Sequence, residues 1–299
     1  MCTAITYGTK DFYFGRNLDL EYSYNEDVII TPRNYELSFR YEGDAKEHYA
    51  IIGIGIEVDE YPLYYDGINE MGLGIAGLNF PGNAEYFSYN NERRNITPYE
   101  FIPWILANFA TVEEAKAGLK NINFVDEAFN DKYRLTPLHW IIADKEESIV
   151  VESTCNGIKV YDNHEGILTN NPVFVEQMEN LSKYREIKDI PGDFTSKSRF
   201  IRAVFVRNHS ISDDSEEKSL SQFFHILDNV AQPRGLENVG NKPKYTIYSS
   251  CANASKGIYY YKTYDNSRIN GVDMFRENLE SKRLIKYHLK RESEITINN

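Results

Sequence analysis

The second residue of the chain is a cysteine, and its position gives it a chemistry that no interior cysteine has. Removal of Met1 would leave a thiol and a free α-amine on one residue. An amine with an ordinary pKa of about 7.7–8 is partly unprotonated near neutral pH, so it can take the thiol proton. One residue then supplies both nucleophile and base. Cys2 also opens a strand-like run, Cys2 to Tyr7, in which small or polar residues alternate with apolar ones. If Gly8 to Asp11 form the loop of a hairpin, Tyr7 pairs with Phe12 and Cys2 falls opposite Asn17. Arg16 and Asp19 then flank the new terminus. The carboxylate can hold the amine, and the guanidinium favours thiolate over thiol. The competing reading is a small residue buried in a first strand, as free cysteines often are. By spacing alone the two readings stand side by side.

Other chemistries find less support. Gly72-Leu-Gly74-Ile-Ala-Gly77 has the glycine pattern of a dinucleotide site, but such a site needs a helix N-terminus directly after the glycines. Here Leu78-Asn79-Phe80-Pro81-Gly82 ends a strand and turns, so the glycines are expected to permit close backbone approach within a sheet. The six histidines show no HxxxH or HExxH spacing, and His139, within Leu138-His139-Trp140, reads as a core residue. No Gly-x-Ser-x-Gly elbow occurs. The 3 cysteines, Cys2, Cys155 and Cys251, make neither a disulfide framework nor a CxxC zinc site. No metal or organic cofactor is expected.

The elements that must position Cys2 follow from pattern. Strands are expected at residues 2–7, 12–18, 28–32, 49–58 and 72–80, then at 138–143, 148–152, 158–161 and 166–169, and finally at 245–251 and 257–263. Thr97-Pro98-Tyr99-Glu100 reads as a capping box with proline at the first helical position, and Thr111-Val-Glu-Glu114 opens a second helix. Residues 198–208 and 220–231 have helical periodicity, and a closing helix is expected near Asp273 to Glu280. The 23 Tyr and 16 Phe favour strands. Hydrophobic residues make up 41% of the 299, enough for a sizeable core in one domain spanning 1–299. Strands, paired helices, strands and helices again suggest sheets sandwiched between helical layers. A formal net charge of −12 argues against a nucleic-acid partner. The N-terminus lacks the pattern of a signal peptide, and no apolar run is long enough to span a membrane, so the expected location is cytoplasmic.

Taken together, six segments resemble the choloylglycine hydrolases, a family of conjugated bile salt hydrolases and penicillin V acylases. They are Met1 to Ala4, Gly15-Arg16-Asn17-Leu18-Asp19, Gly74 to Asn83, Pro137 to Trp140, Leu168 to Pro172, and Pro191-Gly192-Asp193 with Ser198-Arg199-Phe200. Any one is weak, but they occur in the family's order from residue 1 to about 265. The resemblance implies an α+β fold, a four-layer αββα sandwich of two antiparallel sheets between helical layers. It implies Cys2 as nucleophile, its amine as proton shuttle, Asp19 orienting that amine, and Arg16 near the sulfur. Asn170 would donate to the oxyanion, Asn79 would help line that hole, and Arg199 would complete the polar network. Without the resemblance Asn79 reads as a turn residue and Arg199 as a surface helix charge.

The implied reaction is hydrolysis of a glycine- or taurine-conjugated bile acid through a Cys2 thioester. Leu20, Tyr22, Tyr24, Tyr61, Phe129, Tyr133 and Leu135 are expected to line an apolar pocket for the acyl group. Penicillin V and N-acyl homoserine lactones are alternative amide substrates, and a non-enzymatic binding relative is the alternative of another class. Asn79 favours the bile salt version, because many penicillin acylases of the family carry an aromatic residue there. The span from Asn171 to Ser198 is shorter than in many members, whose longer excursion takes part in subunit packing. A homo-oligomer is expected, with a tetramer left open.

Overall fold

The computed structural model describes residues 2–299; Met1 lies outside them. Among the described residues, two large sheets, each built of antiparallel pairs, face each other. The seven-stranded sheet runs in the order Ile167–Leu168, Cys2–Gly8, Phe12–Leu20, Lys242–Asn253, Ile258–Thr263 and Asn270–Asp273, with Glu237–Val239 attached to Lys242–Asn253. The eight-stranded sheet runs Gly157–Asp162, Ser148–Thr154, Leu138–Ala143, Gly74–Asn79, Tyr61–Asn69, Ile51–Val58, Asp27–Thr31 and Ile285–His288.

Helices cover both outer faces. Phe101–Asn108 and Val112–Leu119 belong to the eight-stranded side, whereas Ser196–His209 and Glu216–Asp228 pack on the seven-stranded sheet. The chain thus forms the expected αββα sandwich. Strands buried on both faces explain the continuous apolar runs. Ile30, Ile52, Ile141 and Val150 point between the sheets, while Ile29, Ile51, Ile142 and Ile149 point beneath the first two helices. Trp140 anchors that second core, ringed by Phe101 and Phe124. Truncating a buried indole of this kind costs about 3–5 kcal/mol.

Three expectations need correction. The first helix begins at Phe101 rather than at Pro98. Thr97 Oγ1 and Glu100 do bond each other, at 2.6 Å, but they close a turn ahead of the helix. Second, the helix expected at 273–280 is a single 3-10 turn, Met274–Arg276, following the strand Asn270–Asp273. Its Asp273 caps the turn by accepting from the Phe275 N–H, so a good capping residue led into no apolar stripe. Third, the sequence reading passed over the strand Tyr61–Asn69. Pro62 and the Asp66-Gly67 pair break the run with residues that usually mark turns. No helix is long and apolar enough to cross a membrane among the described residues.

Candidate active site

The first hairpin decides what Cys2 faces. Gly8 pairs with Phe12 across a loop of Thr9, Lys10 and Asp11, so the register is one residue away from the expected one. Cys2 sits opposite Leu18, and Ala4 opposite Arg16. A one-residue slip turns every side chain to the other face. Cys2 and Arg16 therefore share the face that meets the eight-stranded sheet. Thr3 and Asn17 share the face that meets the helices, where Asn17 Nδ2 donates to the Leu227 carbonyl at 2.9 Å.

Arg16 is fully buried, which demands compensation for its charge. Its Nη1 donates to the carbonyls of Tyr65, at 3.0 Å, and Gly77, at 2.5 Å. Tyr65 is the extra residue of a β-bulge: Tyr64 pairs with Gly55 and Asp66 with Ile54, leaving Tyr65 between them. The bulge thereby turns a ladder carbonyl toward the guanidinium, a recurrent device beside functional sites. Nη2 is buried without an oxygen acceptor, and the guanidinium couples to the Cys2 thiol by charge and side-chain contact. The counter-charge behind it is Asp66, also buried, which accepts hydroxyls from Tyr248 at 2.5 Å, Ser250 at 3.0 Å, and Tyr259. Close backbone approach holds the region together. A Cβ on Gly15 would stand 2.1 Å from the Ser250 carbonyl oxygen, so the residue before Arg16 must be glycine.

Burial pushes the Cys2 thiol up and the Asp19 carboxylate adds to it, but the Arg16 cation, then the positive chain terminus, and last a hydrogen bond from the Asp19 backbone oppose them. The net result is a thiol below its ordinary range. Asp19 is itself held by Thr246, whose Oγ1 donates to Oδ1 at 2.7 Å. A second bulge, between Thr246 and Tyr248, puts that hydroxyl in place.

The nitrogen of Cys2 meets a different set of partners. It donates to Asn170 Oδ1 at 2.6 Å, across 168 residues of sequence. Arg199, fully buried in the helix Ser196–His209, fixes both: Nη2 donates to Asn170 Oδ1 at 2.9 Å, and Nη1 to the Cys2 carbonyl at 2.6 Å and Thr3 Oγ1 at 2.7 Å. The surface helix charge suggested by local pattern is thus a buried clamp. Burial lowers the Arg199 pKa, against the opposing influence of Asp19 and Cys2. Asn170 Nδ2 donates to the Asn79 carbonyl at 2.6 Å, joining the two asparagines. One amide N–H of Asn170 is therefore committed and the second is left for another acceptor. Asn171 lies apart, with Nδ2 on the Pro81 carbonyl at 2.8 Å.

The seven expected pocket residues fall into separate groups. Tyr22 and Tyr24 are adjacent, with ring centroids 4.8 Å apart and hydroxyls 2.8 Å apart. Tyr61, Phe129 and Tyr133 form a second group, with centroids 5.8 and 6.4 Å apart along the series. Leu20 packs on the inter-sheet core, and Leu135 is half-buried in the loop before Leu138. The residue within electrostatic reach of both groups was missed with its strand. Burial, then Glu26, Tyr24 and Tyr133, raise the Tyr65 phenol well above its ordinary range, and the carbonyl of the same residue holds Arg16. Its only sequence signal is the tyrosine density of the run from Tyr61 to Tyr65.

His139 is the core histidine expected, stacked on Phe80 and bonded to Glu152 and the Thr169 carbonyl. The strand Gly74–Asn79 is followed by a turn and no helix, which leaves a pyrophosphate nothing to bind. Among the described residues no group of His, Cys, Asp and Glu is arranged to hold a metal ion.

Comparison with known proteins adds to this geometry. The pattern describing the linear amide C–N hydrolases of the choloylglycine hydrolase family matches residues 2–287. A bile salt hydrolase/transferase of Lactiplantibacillus plantarum is 49% identical over 319 residues, covering 98% of each chain. The solved structure of a C2A mutant conjugated bile acid hydrolase from Clostridium perfringens superposes with a TM-score of 0.92 at 40% identity, covering 100% of both chains. A penicillin V acylase from Agrobacterium tumefaciens shares the fold, with a TM-score of 0.82 at 21% identity over 97% of this chain and 92% of that one.

Proposed function

This chain belongs to the choloylglycine hydrolase family, and we propose that it cleaves the amide of glycine- or taurine-conjugated bile acids with Cys2 as nucleophile. The chain is a linear amide hydrolase by family. The observation that carries the nucleophile assignment is Cys2 itself: its thiol is lowered by a buried arginine, and its nitrogen is held by Asn170.

The reaction needs the amine that appears when Met1 is removed. Free of Met1, the Cys2 nitrogen takes the thiol proton, and Arg16 stabilises the thiolate. Sulfur attacks the amide carbonyl to form a tetrahedral oxyanion. The second Nδ2 proton of Asn170 and a backbone N–H near Asn79 supply its donors. The protonated amine then passes its proton to the leaving nitrogen, and glycine or taurine departs. Water, deprotonated by the same amine, cleaves the thioester and restores the thiol. Arg199 makes no direct contact with the substrate in this scheme; it fixes the Cys2 carbonyl and Asn170 relative to each other. The two aromatic groups, with Tyr65, would receive the steroid, and no cofactor enters. Assembly into a homo-oligomer is part of the same proposal and rests on the family resemblance.

Glycocholate, taurocholate, penicillin V and a long-chain N-acyl homoserine lactone, assayed in parallel on the purified protein, test the substrate. The bile conjugates should have the higher kcat/KM; a penicillin V value above both would replace this reading with the acylase one. Intact-protein mass spectrometry on the same sample tests the amine, since active protein should lack Met1. Full turnover by protein that retains Met1 would sink the mechanism, because the nitrogen would then be an amide without a basic lone pair.

A further inference from the structure

The loop that carries Tyr22 and Tyr24 is organised around one buried carboxylate. Glu26 is 1% exposed, and its Oε1 accepts the Tyr24 backbone N–H at 2.8 Å. Its Oε2 accepts the Ser23 hydroxyl at 2.6 Å, and Ser23 Oγ accepts the N–H of Asn25 at 2.9 Å. Asn25 has a φ of 61°, so the turn itself sits in the left-handed region. A buried carboxylate needs a cation, and here it comes from the far end of the chain: Arg291 Nη2 donates to Glu26 Oε2 at 2.6 Å.

Arg291 is placed by a strap that runs from the edge of the eight-stranded sheet across to the seven-stranded one. The strand Ile285–His288 pairs with Asp27–Thr31 of the eight-stranded sheet, with His288 opposite Asp27. Leu289 is buried in the inter-sheet core. The next residues bond to the end of a strand of the other sheet and to the loop after it: Thr263 Oγ1 donates to the Lys290 carbonyl at 2.8 Å, and Asn266 Nδ2 to the Glu292 carbonyl at 2.8 Å. On its open side, the loop is met by Lys242, whose Nζ lies 5.0 Å from the Tyr22 ring centroid. The rings of Tyr22 and Tyr24 stay 46% and 44% exposed, so their own packing does little to fix them. Their placement falls instead to the backbone that Glu26 holds.

We propose that the Arg291–Glu26 pair is a positioning device for substrate selection: the strap fixes the 21–26 loop, and with it the aromatic wall that the acyl group meets. The proposal rests on the reading of Tyr22 and Tyr24 as part of the acyl site. It separates affinity from chemistry, because neither residue touches Cys2, Asn170 or Arg199. A loop that must be ordered on binding spends binding free energy on that ordering, whereas a pre-fixed one does not.

The test uses the full-length mature enzyme with Arg291→Ala, Arg291→Lys and Glu26→Gln. Glu26→Gln keeps the shape of the hub, which guards against a variant that fails to fold. Hydrogen exchange at residues 21–26 should accelerate in Arg291→Ala and in Glu26→Gln, without substrate present. KM for glycocholate should rise about tenfold, the scale of one lost charge-assisted hydrogen bond, with kcat and the rate of Cys2 alkylation within about twofold of the parent. Arg291→Lys should recover most of both effects. Unchanged exchange would overturn the strap. Faster exchange with an unmoved KM, or a fall in kcat alone, would overturn its role in affinity. Should the parent enzyme cleave no bile conjugate, the substrate assignment fails separately, and the same exchange and KM measurements apply to whichever acyl amide it does cleave.

Discussion

Cys2 and Cys251 lie in one sheet and one core, and their thiols are driven in opposite directions. Both are buried, at 2% and 0% exposure, and both belong to the cluster between the sheets and the later helices. Burial pushes each thiol up. At Cys251 nothing opposes it, and the Glu216 carboxylate adds to it, so the thiol is held well above its ordinary range. At Cys2 the Arg16 charge, followed by the positive chain terminus and the Asp19 backbone, reverses the direction. Reactivity here depends on which charge shares the buried space, and desolvation by itself yields an inert thiol. The price of the reactive site is a buried arginine, which the bulge at Tyr65 and the Asp66 hydroxyl network stabilise.

The most drastic way to break the comparison is to remove each sulfur. Cys2→Ala should abolish turnover of any amide substrate while leaving the fold intact. Cys251→Ala should keep kcat/KM and lower stability by about 0.5–1.5 kcal/mol, as for a small buried truncation. Thermal unfolding and a single assay decide both. Loss of activity in Cys251→Ala at unchanged stability would show that the two sites are not separate.

Next in size is the partner of the Cys2 nitrogen. Asn170→Ala should lower kcat by about 10²–10³, with a smaller effect on KM, as for one oxyanion donor. Asn171→Ala, whose amide serves only the Pro81 carbonyl, should be mild. The reverse pattern would mean that the oxyanion is held elsewhere.

Alkylation sharpens the contrast without any mutation. In mature enzyme, iodoacetamide should label Cys2 with a midpoint below the ordinary thiol value of 9.0, and leave Cys251 unlabelled in the native state. Cys155 is exposed and should be labelled, which makes it the control for access of the reagent. A Cys2 midpoint at or above 9.0 would remove the assigned effect of Arg16.

The smallest effect is on stability against pH, and its sign differs between the two thiols. A thiol whose folded pKa is lowered binds fewer protons native than unfolded between that value and about 9, so stability rises with pH through this window. It is lost again as pH falls through the folded pKa. Cys251 is raised, so its contribution is present below about 9 and is lost as pH climbs beyond it. Subtracting the denaturation profiles of Cys2→Ala and Cys251→Ala from the parent should give slopes of opposite sign. Slopes of the same sign would place both thiols in like environments.

The sequence by itself determined the local elements and the identity of the chemistry. Period-2 runs and the Thr111 cap sufficed for most strands and for the helix Val112–Leu119, whose Thr111 side chain does accept from the Glu114 N–H. Position 2 marked the nucleophile proposed for this chain, since a terminal amine is a property of chain order alone. The six family segments carried the αββα architecture, which local pattern reached only as layered sheets and helices. Tertiary structure decided the rest. The hairpin register, off by one residue, determines that Cys2 lies opposite Leu18 and on the same face as Arg16, rather than opposite Asn17, and it is fixed by a loop conformation that several spacings would satisfy. Arg199 looked like solvent-facing helix charge because its acceptors, Cys2 and Asn170, lie 197 and 29 residues away. Tyr65 and Asp66 left almost no trace, for a bulge is a mismatch between two strands and neither strand encodes it alone. The Glu26–Arg291 pair, 265 residues apart, is of the same kind: two ordinary charges on the chain become one partly buried ion pair only when the C-terminal segment lies across both sheets.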